Sequence, residues 1–398
     1  MSLEEESMAS PTTSSCGTCK CSANYDKKKK KKDKKCELIT YEELPDWLKD
    51  NEFIHGYYRC EWPMKETILS IFSIHNETLN VWSHLIGFLL FLCLTIFTAM
   101  VIPSDGRSNF ARSNTTMRDY YWGDLMVMAN MTGVLRHEAL AACLLLNPAD
   151  LSEHEQISTS CPTNTSSFSS SFSIYHHNHH QQQQHAVQDA ATTVVTEPIT
   201  RWPMYAYLCG AMVCLLASTA CHLLLCHSPR VASLTLRLDY AGIASLIVTS
   251  FLPLVHYTFL YHPRLRLAYT VSIVTSGIVA VSVSLVPAFQ APRLRHVRAA
   301  VFSGVAVSGV IPVVHKLVIY GNVVREAVTS TRCEAAMGVF YGIGVVVYTA
   351  RVPERWFPGK FDLVGHSHQL FHLLVVAGAY AHYLGALEYL KWRDTIKC

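Results

Sequence analysis

The chain has 398 residues, 50% of them hydrophobic and only 16% charged, and its mean hydropathy of +0.19 is high for a soluble protein. That balance excludes an ordinary soluble domain and points to helices that cross a bilayer. The formal net charge is only +3, and outside one basic block the charges nearly cancel, so no nucleic-acid partner is expected.

Residues 1–38 are rich in Ser, Thr, Lys and Cys and have little to bury, so they are expected to form a disordered, basic cytosolic tail. The opening Met1-Ser-Leu-Glu-Glu-Glu lacks the basic stretch and apolar core of a secretory signal. The block formed by Lys27 to Lys32, Lys34 and Lys35 either attracts anionic inner-leaflet lipids or only marks the cytosolic side. Cys16, Cys19 and Cys21 resemble half a metal knuckle without its second half. Residues 39–83 then read as an amphipathic cytosolic lead-in.

Windows of about twenty apolar residues predict an all-α membrane protein, a seven-transmembrane-helix bundle with spans at 84–102, 203–225, 240–260, 267–288, 299–320, 334–351 and 367–389. Pro287 and Pro312 interrupt or end the fourth and fifth spans, which membrane helices tolerate when neighbours satisfy the freed carbonyls. Between the first two spans, residues 103–202 form a low-complexity loop with His176, His177, His179, His180 and four glutamines from Gln181. Its sequons at Asn114, Asn130 and Asn164 are usable only if the loop is exterior. The lysine block holds the N-terminus in the cytosol, so seven crossings place the loop and the 391–398 tail outside.

His368 and His372 stand one helical turn apart at the start of the last apolar run, where i and i+4 imidazoles lie on nearly one face and can reach one ion. His222 lies at the inner end of span two, in Ser218-Thr-Ala-Cys-His222. Parity brings His222, His368, His372 and Asp239 to one depth, because span two ends where spans three and seven begin. Ionisable groups inside spans are candidates for function. Three imidazoles with a carboxylate or water are the ligand set of an open, catalytic-type zinc site. Read alone, Asp239 is also the acid expected at a helix N-terminus. His256, His382 and the pair His315 and Lys316 fall away from this depth and read as interfacial anchors or snorkelling groups.

Tyr41-Glu-Glu-Leu-Pro-Asp-Trp-Leu-Lys-Asp-Asn-Glu-Phe-Ile-His-Gly-Tyr-Tyr-Arg, His75-Asn-Glu-Thr-Leu-Asn-Val-Trp-Ser-His84, Ser218-Thr-Ala-Cys-His222, Leu238-Asp239-Tyr240 and His368-Gln-Leu-Phe-His372 together resemble the progestin and adipoQ receptor family. They are most similar to its plant heptahelical members, which look like the adiponectin receptors. The resemblance covers residues 41–84 and 201–398 and leaves out the low-complexity loop. It implies a seven-helix bundle with a cytosolic N-terminus. It also implies zinc (Zn2+) on the positions matching His222, His368 and His372, with Asp239 reaching the ion through water and Ser218 in the same pocket. The family is linked to slow, ceramidase-like hydrolysis of lipid amides, and its plant members to hormone, sugar and abiotic-stress signalling.

On chemical grounds zinc would acidify water and polarise a carbonyl, with Asp239 taking a proton and Ser218 orienting the substrate carbonyl or merely bonding its own helix backbone. Three functions stay open on the residues. The chain is a heptahelical signalling receptor capable of hydrolysing ceramide-like membrane lipids, or a zinc-stabilised receptor without turnover, or a bundle in which zinc only staples spans two, three and seven. The receptor readings require an exterior stimulus and a cytosolic partner. A zincin would need His-Glu-x-x-His, but Gln369 follows His368.

Overall fold

The computed structural model describes residues 36–101, 199–286 and 291–395. The lysine block, the three sequons and the Ser/His/Gln-rich stretch lie outside the described residues. The described residues are mostly helical, with no strand among them and one isolated bridge between Ile39 and Tyr58. The helices are α1 (Met64–Leu69), α2 (Thr78–Val101), α3 (Trp202–Leu224), α4 (Pro229–Thr258), α5 (Pro263–Leu285), α6 (Arg295–Val307), α7 (Val310–Tyr320), α8 (Arg325–Ala350) and α9 (Ser367–Thr395). With α6 and α7 counted as one, seven segments are long and apolar enough to cross a membrane. The chain is an integral multi-pass membrane protein.

Several helices extend past the apolar windows that predict them, for a common reason. Polar residues at a helix end escape lipid when other protein groups cover them. α2 starts at Thr78 rather than at 84, and its polar first turns are internal: Asn80 is 1% and His84 3% exposed. α4 starts at Pro229 rather than 240, because Ser228 caps it by accepting from the Val231 N–H at 3.4 Å and Pro229 takes the first helical position. Asp239 therefore sits nearly three turns into α4, and its reading as a helix cap is excluded.

The fifth span is broken into α6 and α7 at Ser308 and Gly309. Pro312 has no N–H to offer the Ser308 carbonyl, which instead accepts from the Ile311 N–H at 3.2 Å, one residue short of helical register.

α9 is the axis of the bundle. In its most apolar window 78% of residues are buried within the protein, against 22% for each of the segments formed by α5, by α6 with α7, and by α8. It packs most extensively on α8, as α3 does on α4. The α3–α4 contact depends on two glycines. A Cβ on Gly210 would lie 2.0 Å from Thr249 Oγ1, and one on Gly242 would lie 3.0 Å from the Cys214 backbone. Phe91, Tyr207, Tyr257, Tyr383 and Trp392 fill the central core, each no more than 1% exposed.

The lead-in folds over one end of the bundle. Leu44, Ile54, Tyr58 and Cys60 form its own small core. Arg351, at the end of α8, is held by Glu52 and the Asp50 carbonyl, while Asn51 Nδ2 donates to Glu354 at 3.1 Å. Buried Arg59 donates to the carbonyls of His222 (2.9 Å) and Leu223 (3.0 Å), so a cation closes the C-terminus of α3. At the other end Arg393 does the same for α4, donating to Tyr257 O (2.6 Å) and Thr258 O (2.9 Å).

Two expectations for the polar residues away from the histidine set are corrected. Lys316 does not snorkel: it is fully buried and paired with Glu334. His382 is not an interfacial anchor, being 2% exposed and packed edge-on against Tyr207 at 4.6 Å between ring centroids. Both side chains face other helices, a distinction that hydropathy along one segment does not carry.

Candidate metal centre

His222 reaches the site from the last turn of α3, and His368 and His372 from the first two turns of α9. One potential ligand atom from each lies within 4.8 Å of the others. Their rings stand edge to face, with centroids 4.8 Å apart for His222 and His368, 4.9 Å for His222 and His372, and 4.8 Å for His368 and His372. His222 and His372 are buried; His368 is half-buried. The three imidazoles that the sequence brings to one depth are thus assembled into one cluster.

The hydrogen bonds around this cluster fit a cation. His222 Nδ1 lies 2.8 Å from Glu77 Oε2, whereas its Nε2 is buried without a hydrogen-bond partner. His372 Nδ1 lies 3.2 Å from the Asn80 carbonyl and 3.1 Å from Ser83 Oγ. An unmatched buried acceptor costs about 1–3 kcal/mol, and a metal ion among three imidazoles removes that cost. Nitrogen ligands of this kind suit zinc, copper, iron or nickel more than calcium or magnesium.

Asp239 stands apart from the three-histidine set, half-buried on α4, with Ser218 within hydrogen-bonding reach of its carboxylate. Ser218 lies one turn before His222 on α3. Both border a cavity of about 950 Å³, which the three histidines also line. Trp47 and Leu48 of the lead-in border it as well, and apolar side chains such as Ile243, Leu246 and Phe302 form its walls. Its volume lies in the range of small-molecule sites, whose walls are likewise mostly apolar with a few polar groups.

Glu77 and His84 belong to this site but carry no assigned role in the sequence reading, although both lie in a quoted motif. The signal available was their spacing. Residues 77, 80 and 84 recur at three and four, one face of a helix, immediately before an apolar run. His84 stacks on His372, centroids 3.6 Å apart and planes 11° from parallel. Burial pushes the Glu77 carboxyl up, but the hydrogen bonds it accepts from His222 and Asn80 work against this. Its backbone N–H donates to His75 Nδ1 at 3.1 Å. Burial, aided by the Arg59 charge, lowers His75 to about 4, so the imidazole is neutral and that acceptor remains available near neutral pH.

The sequence profile of the haemolysin-III related family matches residues 72–383. Heptahelical transmembrane protein 4 of Arabidopsis thaliana is 47% identical, over 92% of this chain and 91% of its own. Heptahelical transmembrane protein ADIPOR3 of Oryza sativa subsp. japonica is 44% identical, over 91% and 92%. The adiponectin receptor protein of Drosophila melanogaster is 31% identical over 90% of this chain and 60% of its own length. A profile match that spans most of the bundle, joined to relatives aligned almost end to end, places the chain in the haemolysin-III related family of progestin and adipoQ receptor proteins, beside the plant heptahelical members.

Proposed function

We propose that the chain is a membrane signalling receptor whose three-histidine cluster holds zinc and hydrolyses lipid amides of the ceramide class. The observation that supports this best is the unpartnered, buried Nε2 of His222, which stands among two further imidazoles at the wall of a cavity that also contains Asp239. When bound, zinc supplies Lewis acidity toward a carbonyl and toward water.

The chain's own residues divide the remaining work. Asp239 accepts the proton that water loses as its oxygen bonds to the amide carbon, and delivers it to the nitrogen as the C–N bond breaks. The products are a carboxylic acid and an amine. Ser218 orients the Asp239 carboxylate, and the apolar walls hold the acyl chain and exclude bulk water. The N-terminus is cytosolic in this reading, and an exterior stimulus alters a bundle whose cytosolic end carries the site. Hormone, sugar and abiotic-stress signalling are the settings we assign to it.

A zinc-stabilised receptor without turnover is the second reading. It is supported by the way the site ties α3 to α9, which makes an ion there a mechanical fastening whether or not substrate reacts. Metal analysis of purified protein and a long-chain amide hydrolysis assay, each run on wild type and His368→Ala, separate the two. Zinc with histidine-dependent turnover supports hydrolysis. Zinc without turnover on any long-chain amide supports the fastening, and no metal in wild type defeats both.

A further inference from the structure

A neutral imidazole has one proton and two nitrogens, and whichever nitrogen faces an obligate acceptor keeps the proton. At His222 that acceptor is the Glu77 carboxylate, 2.8 Å from Nδ1, which leaves the Nε2 lone pair directed elsewhere. At His372 it is the Asn80 carbonyl, 3.2 Å from Nδ1, with Ser83 Oγ at 3.1 Å. Glu77, Asn80 and Ser83 succeed one another every three residues from the residue before α2 into its second turn. This segment contributes none of the three histidines of the cluster.

We propose that the start of α2 is the positioning template of the metal centre: Glu77 sets the ring of His222 while Asn80 and Ser83 set that of His372, so that both present Nε2 to one ion. The inference rests on the metal reading above. It adds residues from a helix that neither the histidine spacing nor the cluster itself implicates.

The template is itself held in place. Asn80 Nδ2 donates to Glu77 Oε2 at 2.6 Å, and Asn76 Nδ2 donates to Oε1 at 3.4 Å. The Glu77 N–H donates to His75 Nδ1, and the other ring nitrogen of His75 lies 3.2 Å from the Ser70 carbonyl. The carboxylate thus has little freedom to leave His222. It fixes the tautomer, restricts ring rotation, and raises the basicity of the nitrogen that faces the cluster. Partners of this kind usually change metal affinity by 10- to 100-fold.

The test is zinc affinity, measured by competition with a chromophoric chelator on full-length protein in detergent, for wild type, Glu77→Gln and Glu77→Leu. The glutamine retains an acceptor oxygen for Nδ1–H, whereas leucine has similar bulk and none. The expected order is wild type, then Gln, then Leu, with Leu about 10- to 100-fold weaker than wild type. A packing role alone would not restore affinity in Gln relative to Leu. If Glu77→Leu folds and binds zinc as wild type does, the template is overturned. If it does not fold, Glu77→Gln decides: zinc binding weaker by roughly 3- to 10-fold upholds the proposal, and unchanged binding overturns it. Wild type that binds no zinc overturns the metal reading and the template together; wild-type binding unaffected by these variants overturns the template alone.

Discussion

Lys316 Nζ lies 2.7 Å from the Glu334 carboxylate, and the two side chains are 0% and 4% exposed. The ammonium's three protons match three acceptors, because Ser330 Oγ (3.0 Å) and Tyr389 Oη (2.6 Å) complete its set. Tyr389 in turn donates to Glu334. This closed network joins α7, α8 and α9 in a region that sequence alone assigns to lipid or interface.

Removing one member of this pair should cost more than removing both. Lys316→Met leaves a buried carboxylate without its cation, a loss of about 3–5 kcal/mol, whereas Lys316→Met with Glu334→Gln should recover much of it. Thermal melting of detergent-solubilised protein measures the difference. Equal melting of wild type and Lys316→Met would show that the network does not hold the bundle.

Loss of any one imidazole should empty the centre. His222→Ala, His368→Ala and His372→Ala are each expected to lose most bound zinc, read by elemental analysis against protein concentration. Each also strands neighbours of the missing ring, at a cost of about 1–3 kcal/mol per buried polar group left unmatched. Wild-type metal content in all three variants would remove the site.

Asp239 separates chemistry from architecture. Asp239→Asn keeps the side chain's shape and can still bond Ser218, but cannot take a proton from water. Zinc content is expected to stay at the wild-type level while amide hydrolysis falls by about 10²–10⁴-fold, the usual effect of losing a general base. Full turnover in this variant would leave Asp239 without a catalytic role.

Topology is checked by epitope tags at the two termini. At the plasma membrane the N-terminal tag should be reachable from outside only after permeabilisation and the C-terminal tag beforehand; on intact organelles the order reverses. Tags found on the same side would break the parity that seven crossings require.

The convergence of His222, His368 and His372 was readable because a bilayer makes consecutive spans alternate in direction, so depth follows from counting. Other features were not readable for equally physical reasons. Asp239 looked like a possible cap because the apolar window opens beside it; the true cap is Ser228, and the polar turns between them are helical. Lys316 looked like a snorkelling residue because its partner Glu334 belongs to another helix, 18 residues away in sequence. Glu77 and His84 fell at the polar margin of the first apolar window, and only contacts across helices reveal that they face His222 and His372.

α9 continues without a proline from His368, in the histidine cluster, to Asp394, where both carboxylate oxygens accept from Arg201 at 2.9 Å. By helical rise those residues are roughly 39 Å apart, and a hydrogen-bonded helix neither shortens nor stretches appreciably. It is therefore a lever. Tilting such a rod by about 5° around its midpoint carries each end roughly 1.7 Å in opposite directions. Metal–nitrogen bonds tolerate only about 0.2 Å, so an ion held by the proposed centre and shared with His222 on α3 would brake that tilt, and a push at the Arg201–Asp394 end would strain the bonds at the other.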